Sequence, residues 1–317
     1  MGDFLTRPNK TKNSEDDENE RIRWAASDMQ GWRKRQEDSH ITSMNIGKNK
    51  DIELFGVFDG HGGKEVAQWV KKHFVPALEE NANFIAGKYK EALEETFLYM
   101  DELMTTKENK EELKILNKLS REDDEKMKEG GSGNQNMDIF KQIFEQNKGA
   151  VGDIAMGTGC TAIVALISKD TLYFANAGDS RAVLSKNGVA YPMSTDHKPE
   201  NDEEKARVYK ADGFVVDGRI KGNLNLSRSL GDLEFKVPKN FHPKEYMITA
   251  FPEVTSCKLS SDCDFIILGC DGIWDCKKNQ EAVDFVQKRI NSSKYEKLSP
   301  IIEELFEDCI AEDIYNG

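Results

Sequence analysis

Short apolar runs alternate along the chain with segments in which apolar side chains recur every three or four residues. Residues 51–59 start in polar and apolar alternation and finish as an apolar run, which predicts a strand that enters a covered core. The two segments that follow have helical spacing, which predicts two amphipathic helices over one face of a sheet. Their apolar positions are Val66, Val70, Phe74 and Leu78, followed by Leu93, Phe97, Met100 and Met104.

The second half of the chain repeats this organisation. Short turns that contain Gly, Asp or Asn join the first predicted strands of this half, as is typical of hairpins. The predicted strands are 161–167, 171–177, 181–184 and 264–270, and the predicted helices are 200–211, 280–290 and 298–310. Hairpins together with segregated helix pairs predict an α+β fold, in which helices cover antiparallel sheets, rather than a doubly wound parallel sheet.

Two segments have too few apolar side chains for a packed element. Residues 9–21 have none, so we expect residues 1–21 to be a flexible leader and residues 22–317 to form the folded domain. Charges also dominate residues 107–129, and a Gly-rich sequence follows. This pattern predicts a surface insertion at about 105–137, which is either a solvated linker or a segment that contacts partners.

Composition and charge exclude several functional classes. The 317 residues include 44 Lys and Arg against 57 Asp and Glu, and a net charge of −13 repels a phosphate backbone, so we expect no nucleic-acid partner. The six cysteines form no C-x-x-C pair, which argues against a zinc ribbon and suits a reducing compartment. No apolar run is long enough to cross a bilayer, and no apolar signal sequence is visible. We expect a cytoplasmic protein that could also occur in the nucleus or at membranes.

Two predicted apolar strands end in an aspartate followed by glycine, at Asp59-Gly60 and at Asp271-Gly272. A single Asp-Gly pair is most often a turn. A carboxylate that emerges from a dry core is nevertheless costly unless it is paired or bound to a cation, and glycine lets the backbone approach a ligand closely. Together with the acidic Glu37-Asp38, these positions predict a site for a hard divalent cation, Mg²⁺ or Mn²⁺ rather than zinc.

His61 directly follows the first of these motifs. A lone histidine is most often structural, but this one lies among glycines, and it could donate a proton to a leaving oxygen. None of the five histidines belongs to an H-E-x-x-H motif, no cysteine has an arginine six residues later, and no G-x-S-x-G elbow occurs. Zinc hydrolases, cysteine-dependent phosphatases and serine hydrolases are therefore poorly supported.

Taken in order, the motifs resemble those of the metal-dependent type 2C serine/threonine protein phosphatases. Nine segments spread over nearly the whole chain carry this resemblance. They are 29–33 (MQGWR), 37–40 (EDSH), 57–63 (VFDGHGG), 159–162 (GCTA), 176–181 (NAGDSR), 196–199 (DHKP), 226–232 (LSRSLGD), 252–254 (PEV) and 270–275 (CDGIWD).

The resemblance implies a four-layer fold, in which helix pairs flank a central sandwich of two antiparallel β-sheets. It also implies a site for two Mg²⁺ or Mn²⁺ ions at one end of the sandwich. By resemblance, Asp59 is the bridging ligand and the Gly60 carbonyl is a second ligand. Asp271 corresponds to a ligand of one ion, and Glu37 to a ligand that acts through water.

The implied reaction is hydrolysis of phosphoserine and phosphothreonine in proteins by a hydroxide held between the two cations. Arg33 corresponds to the residue that binds the substrate phosphate, and His61 to the acid that protonates the leaving oxygen. Asp38 corresponds to a residue that contacts the metal ligands without being one of them. Two alternatives remain. One is a catalytically impaired relative that binds phosphoproteins or signalling partners, and the other is a different two-metal phosphohydrolase such as a nuclease. We expect a monomer.

Three further aspartates have no settled role. Asp179 is either a turn residue or part of the site, and Asp232 is most simply a turn or capping residue. Some family members hold a third, weaker ion through an aspartate that precedes the 159–162 motif, and Asp153 is the nearest candidate.

The two ends of the sequence carry the remaining expectations. The family ends with an Asp-Asn-Met-type segment that starts a final strand and supplies a carboxylate, whereas this sequence stops at Ile314-Tyr315-Asn316-Gly317. We therefore expect weak binding of the second cation and low turnover. The start, Met1-Gly2-Asp3-Phe4-Leu5-Thr6, fits the pattern M-G-x-x-x-[ST], which predicts myristoylation at Gly2 and weak membrane attachment.

Overall fold

The computed structural model describes residues 4–129, 153–236, 241–292 and 296–312. The strands are β1 (Phe4–Glu18), β2 (Arg23–Arg33), β3 (Ser39–Ile46), β4 (Ile52–Phe58), β5 (Gly60–His61), β6 (Gly159–Cys160), β7 (Ala162–Ser168), β8 (Thr171–Ala177), β9 (Arg181–Lys186), β10 (Val189–Pro192), β11 (Val215–Val216), β12 (Arg219–Ile220), β13 (Leu230–Gly231), β14 (Glu253–Lys258) and β15 (Cys263–Gly269). The helices are α1 (Glu65–Glu80), α2 (Ala82–Ile85), α3 (Tyr89–Met104), α4 (Lys107–Glu129), α5 (Asp202–Lys210), α6 (Asp271–Trp274), α7 (Asn279–Asn291) and α8 (Ser299–Cys309). None of the helices in these ranges combines the length and the apolar character needed to span a bilayer.

The largest sheet has five antiparallel strands in the order β14-β8-β7-β4-β3. Strand β7 lies in its middle and is buried along its whole length. Because successive side chains of a strand point to opposite faces, the side chains of β7 pack into two different hydrophobic cores. Val164 and Leu166 pack against α1 and α3, whereas Ile163 and Ala165 face the second sheet.

The second sheet, in the order β10-β9-β15, packs on that inner face. Leu184 of β9 and Ile266 of β15 belong to the same hydrophobic cluster as Ile163. On the outer face of this sheet, Val183 and Ile267 pack against α7 and α8. The layers are therefore helix pair, sheet, sheet and helix pair, which confirms the predicted α+β sandwich.

Residues 4–18 form strand β1, which pairs antiparallel with β2, so the expectation of a flexible leader over residues 1–21 is wrong for this segment. Strand pairing satisfies the backbone without apolar side chains. The polar side chains also contact α8. Asp16 Oδ1 accepts hydrogen bonds from the backbone N–H groups of Leu298 and Ser299 at 2.7 and 2.8 Å, which stabilises the start of that helix.

Helix α4 occupies most of the insertion predicted at about 105–137, of which residues 130–137 lie outside the described ranges. Leu113 is fully buried in the core beside α1 and α3. Glu112 accepts hydrogen bonds from two side chains of α1 at 2.6 and 2.9 Å. The solvated-linker interpretation is wrong for this helix, because a few apolar residues and several polar contacts fix it on α1.

A buried ionic network joins α5 to the segment 226–232. Glu204 is only 2 % exposed and accepts hydrogen bonds from Arg207 at 2.7 Å, Arg228 at 2.5 Å and the hydroxyl of Ser227 at 2.6 Å. Burial opposes ionisation, but the hydrogen bonds from the two guanidinium groups lower the pKa of Glu204 well below its usual range. Glu204 is therefore ionised throughout the neutral range.

His197 lies beside this network and is 4 % exposed. Its Nδ1 accepts a hydrogen bond from the backbone N–H of Gly178 at 3.3 Å. Burial, together with the positive charge of Arg228, lowers the pKa of His197 from 6.5 to about 3. The unfolded chain therefore takes up this proton at higher pH than the folded chain does. The resulting stabilisation is fully present above pH 6.5 and is lost as the pH falls towards 3.

We expect the free energy of unfolding of the wild type to fall below pH 6.5, with His197 contributing up to about 1.4 kcal/mol per pH unit. Urea unfolding measured at a series of pH values should give a shallower dependence for His197→Gln. The exposed His242 serves as the control, since His242→Asn should keep the wild-type slope. Equal slopes for the wild type and His197→Gln would contradict this prediction.

Candidate active site

Strand β4 brings Asp59 to the edge of the core, where the backbone fixes it. The Asp59 N–H donates to Thr161 Oγ1 at 3.3 Å, and the Asp59 carbonyl accepts from the Thr161 N–H at 2.9 Å. The next residue has to be glycine, because a Cβ atom on Gly60 would lie 2.4 Å from the carbonyl oxygen of Glu37. This close approach holds the segment with Glu37 and Asp38 against the end of β4.

Asp38 and Asp59 share a buried site with Cys270, and their ligand atoms all lie within 4.8 Å of one another. Burial raises the pKa of Asp59 to about 10, and the negative charges of Asp38, Asp271 and Asp179 act in the same direction. Burial likewise raises the pKa of Asp38 to about 6. These carboxylates cannot all be ionised at neutral pH without a positive partner.

The chemistry of this cluster fits a hard divalent cation. Burial raises the pKa of the Cys270 thiol well above its usual value, so this sulfur stays protonated and is a poor metal ligand. The remaining donors are carboxylate oxygens, which suit Mg²⁺ or Mn²⁺. A cation among Asp38, Asp59 and Asp271 would also offset the repulsion that raises their pKa values.

Asp271 and Asp179 approach the cluster from the second half of the chain. Asp271 is the first residue of α6, directly after β15, and burial raises its pKa. Asp179 lies in the tight turn between β8 and β9, is 3 % exposed and accepts a hydrogen bond from Lys198 Nζ. The structure therefore brings Asp179 into the site, a role that the sequence analysis left open although the residue lies within one of the nine motifs.

Arg33 and Glu37 lie at the rim of the cluster. Arg33 is exposed at the end of β2, and its guanidinium carbon lies 5.9 Å from the ring centroid of Phe4 in β1. Burial raises the pKa of Glu37, an effect that the nearby Arg33 opposes, and Arg33 opposes the same effect at Asp271. The exposed guanidinium is thus within electrostatic reach of both predicted ligands.

His61 contacts Asp232 rather than any of the predicted ligands. His61 Nε2 and Asp232 Oδ2 are 2.7 Å apart, and the Ser229 hydroxyl donates to the same oxygen at 2.5 Å. Burial opposes ionisation of Asp232, but the hydrogen bonds from His61 and Ser229 outweigh it and lower the pKa of Asp232. The sequence analysis treated Asp232 as a turn or capping residue and missed this contact.

Asp153, the sequence candidate for a third ion, has a different partner. Its carboxylate pairs with Lys110 of α4 at 2.8 Å. The carboxylates that raise the pKa of Asp59 most strongly are Asp38, Asp271 and Asp179. Asp179 is therefore better placed than Asp153 to contribute a carboxylate to this site.

A groove of about 2460 Å³ leads away from the carboxylate cluster. Its walls include residues of β2, β15 and α8, and Asp59, Asp271 and Arg33 also line it. In the described part of the chain, β2 pairs only with β1, and β15 pairs only with β9. Each strand therefore has one unpaired edge.

Comparison with known proteins gives a family match over most of the chain. The model of the family described as "Protein phosphatase 2C" matches residues 22–118 and 114–316. "Probable protein phosphatase 2C 4" of Paramecium tetraurelia is 42% identical over 319 residues, which cover 100% of this chain and 95% of the relative. "Probable protein phosphatase 2C 21" of Arabidopsis thaliana is 39% identical over 322 residues, covering 100% of this chain and 89% of the relative.

Solved structures agree on the fold. A phosphatase from a pathogenic strain of Toxoplasma gondii superposes with a TM-score of 0.61 at 19% identity, over 97% of this chain and 90% of that structure. A serine-threonine phosphatase 2C from Toxoplasma gondii has a TM-score of 0.57 at 18% identity, over 96% and 92% of the two chains. The fold, the carboxylate cluster and these relatives together define a protein serine/threonine phosphatase. The chain belongs to the protein phosphatase 2C family.

Proposed function

We propose that this phosphatase hydrolyses phosphoserine and phosphothreonine in proteins with two divalent cations, Mg²⁺ or Mn²⁺, as cofactors. Asp59, Asp271, Glu37 and the Gly60 carbonyl are the proposed ligands. When bound, the cations would supply Lewis-acid activation of water and neutralise charge on the phosphate. Asp179 is the additional carboxylate that could serve a third, weaker ion.

The observation that carries this proposal is the buried cluster around Asp59. Burial and neighbouring carboxylates raise the pKa of Asp59 to about 10, which indicates a strong local excess of negative charge. A stable fold tolerates such an excess where a cation binds. The cluster opens into the groove that also exposes Arg33, so a phosphate could reach both.

Three residues of the chain have proposed roles in the reaction. Arg33 binds and orients the phosphate through its exposed guanidinium, which can contact two phosphoryl oxygens at once. His61 holds the proton that the departing serine or threonine oxygen receives. Asp38 contacts Asp59 and keeps its carboxylate oriented.

We expect the purified chain to release phosphate from a phosphothreonine peptide in the presence of saturating Mn²⁺, at the low turnover expected from its sequence, and to lose this activity when EDTA is added. Arg33→Ala should lower kcat/KM about 100-fold, since a lost charged hydrogen bond costs about 1.5–3 kcal/mol. Arg23→Ala is the matched control, because Arg23 is an exposed arginine at the opposite end of β2. It should behave as the wild type does.

Other outcomes would point to another function. Peptide binding without phosphate release at saturating Mn²⁺ would favour a phosphoprotein-binding relative. Release that persists in EDTA would contradict the proposed cofactors, and equal effects of the two arginine substitutions would contradict the proposed role of Arg33.

A further inference from the structure

The hydrogen bond between His61 and Asp232 lies beside the cluster but outside the proposed ligand set. The 2.7 Å contact is well shielded, since the Asp232 side chain is only 4 % exposed. A carboxylate in this position accepts a hydrogen bond from the Nε2–H group and so determines both the tautomer and the orientation of the imidazole ring.

The surrounding backbone is built to accommodate this pair. Asp232 has a left-handed conformation, with φ of 49°, which is uncommon for a residue other than glycine and costs free energy. A Cβ atom on Gly159 would lie 2.3 Å from Asp232 Oδ2 and 2.8 Å from His61 Nε2, so β6 can pass the pair only because this residue is glycine. Asp212 and Asp217 have a similar φ, so the clearance at Gly159 is the feature that a simple turn would not need.

A second set of contacts fixes the segment that carries Asp232. The Gly231 N–H donates to Asp101 Oδ1 of α3 at 2.9 Å, and Lys236 Nζ donates to Asp101 Oδ2 at 2.6 Å. Asp101 therefore anchors the same turn as Asp232, but it bonds to Gly231 and Lys236 and not to His61. A substitution of Asp101 therefore tests the effect of disturbing the turn, whereas a substitution of Asp232 also removes the contact with His61.

We infer that Asp232 is a positioning residue for His61 and acts through it on the departure of the serine or threonine oxygen. This inference rests on the proposed function, in which His61 supplies the proton for that oxygen. With Nε2 held by Asp232, Nδ1 is the nitrogen that transfers the proton. Nδ1 is buried and has no hydrogen-bond partner within the described ranges, so proton transfer from it requires a small shift of His61 at the end of β5.

The bond between phosphorus and the ester oxygen breaks, and its electron pair stays on the serine or threonine oxygen. That oxygen takes the proton from His61 and leaves as a hydroxyl group. Water supplies the oxygen that joins phosphorus and restores a proton to the histidine.

The test compares two substrates whose leaving groups differ in their need for a proton. We expect Asp232→Asn to lower kcat on a phosphoserine peptide about 100-fold, within the range of general-acid effects. Its kcat on p-nitrophenyl phosphate should stay within about threefold of the wild type, because nitrophenolate leaves without a proton. Asp101→Asn, which disturbs the same turn, should affect both substrates alike.

Three further measurements distinguish a role of Asp232 in positioning His61 from a general loss of folding. Ser229→Ala removes a single hydrogen bond to Asp232 and should show the same substrate discrimination at smaller amplitude. Combining Asp232→Asn with His61→Gln should cost no more than His61→Gln alone, since both act on one step. In the metal-free protein, ¹⁵N-histidine NMR should show a hydrogen-bonded Nε2 proton on His61 that is shifted or lost in Asp232→Asn.

Equal losses on both substrates for Asp232→Asn, as for Asp101→Asn, would overturn the inference and leave Asp232 with a structural role only. An unchanged His61 signal in Asp232→Asn would also overturn it. If the wild type hydrolyses neither substrate, the proposed function fails, and the NMR comparison alone decides whether Asp232 sets the position of His61.

Discussion

Replacement of Asp59 by asparagine is expected to lower phosphatase activity at saturating Mn²⁺ by roughly 1,000-fold, or about 4 kcal/mol. Asp59 is the proposed bridging ligand, so its loss weakens the sites of both cations. Phosphate release from a phosphothreonine peptide measures this effect.

The same substitution is expected to stabilise the metal-free protein. Burial and neighbouring carboxylates raise the pKa of Asp59 from 3.8 to about 10, so the folded chain holds this proton more tightly than the unfolded chain does. Such a group favours folding below pH 3.8, and the benefit is lost as the pH rises towards 10. At neutral pH, Asp59→Asn removes this cost and should raise the free energy of unfolding by roughly 2 kcal/mol.

Manganese should reverse the order of stability. It should raise the unfolding midpoint of the wild type in scanning fluorimetry but have little effect on Asp59→Asn. The control is Asp170→Asn, since Asp170 is an exposed carboxylate paired with Lys258 on the surface. Equal Mn²⁺-induced shifts in the wild type and Asp59→Asn would show that binding of the cation does not depend on Asp59.

Replacement of Glu204 by glutamine should destabilise the fold by about 3–5 kcal/mol. The carboxylate accepts hydrogen bonds from Arg207, Arg228 and Ser227 in a buried setting. A neutral amide cannot offset two buried positive charges, and its NH₂ group would face donors instead of acceptors. Urea unfolding at pH 7 measures the change.

The adjacent Glu203 provides the control for this prediction. It lies on the same helix but is exposed, so Glu203→Gln should change stability by no more than about 0.5 kcal/mol. A loss of less than 1 kcal/mol for Glu204→Gln would mean that the network contributes little. Because Arg228 and Ser227 belong to the segment that carries Asp232, Glu204→Gln should also lower activity on phosphoserine peptides.

The layers of the fold could be predicted largely from local patterns. The short apolar segments 161–167 and 171–177, with the turn residues between them, marked strands, and the helical spacing after β4 marked α1 and α3. Strand β1 and helix α4 could not be predicted in this way. Their stability depends on partners far away in the sequence, such as the contact of Asp16 in β1 with the start of α8 and the contacts of α4 with α1.

The members of the site were predictable to different degrees. Asp59 and Asp271 stood out because each follows an apolar strand, which is a local signal. Asp179 lies in a turn whose sequence is equally typical of a simple hairpin, so the sequence does not distinguish a turn residue from a site residue there. Asp232 follows a short strand and is far from His61 in the sequence. The contacts of these two residues arise from strand pairing and loop packing, which a single sequence does not display.

By itself, the sequence determined that helices cover antiparallel sheets in this protein and that carboxylates stand at the ends of apolar strands, because both features follow from the local order of apolar, acidic and glycine residues. Only the tertiary structure decided which carboxylates share one site and which one holds His61. The pKa values and the hydrogen bonds of these groups depend on distances between elements that lie far apart in the chain. The chain order alone leaves those distances open.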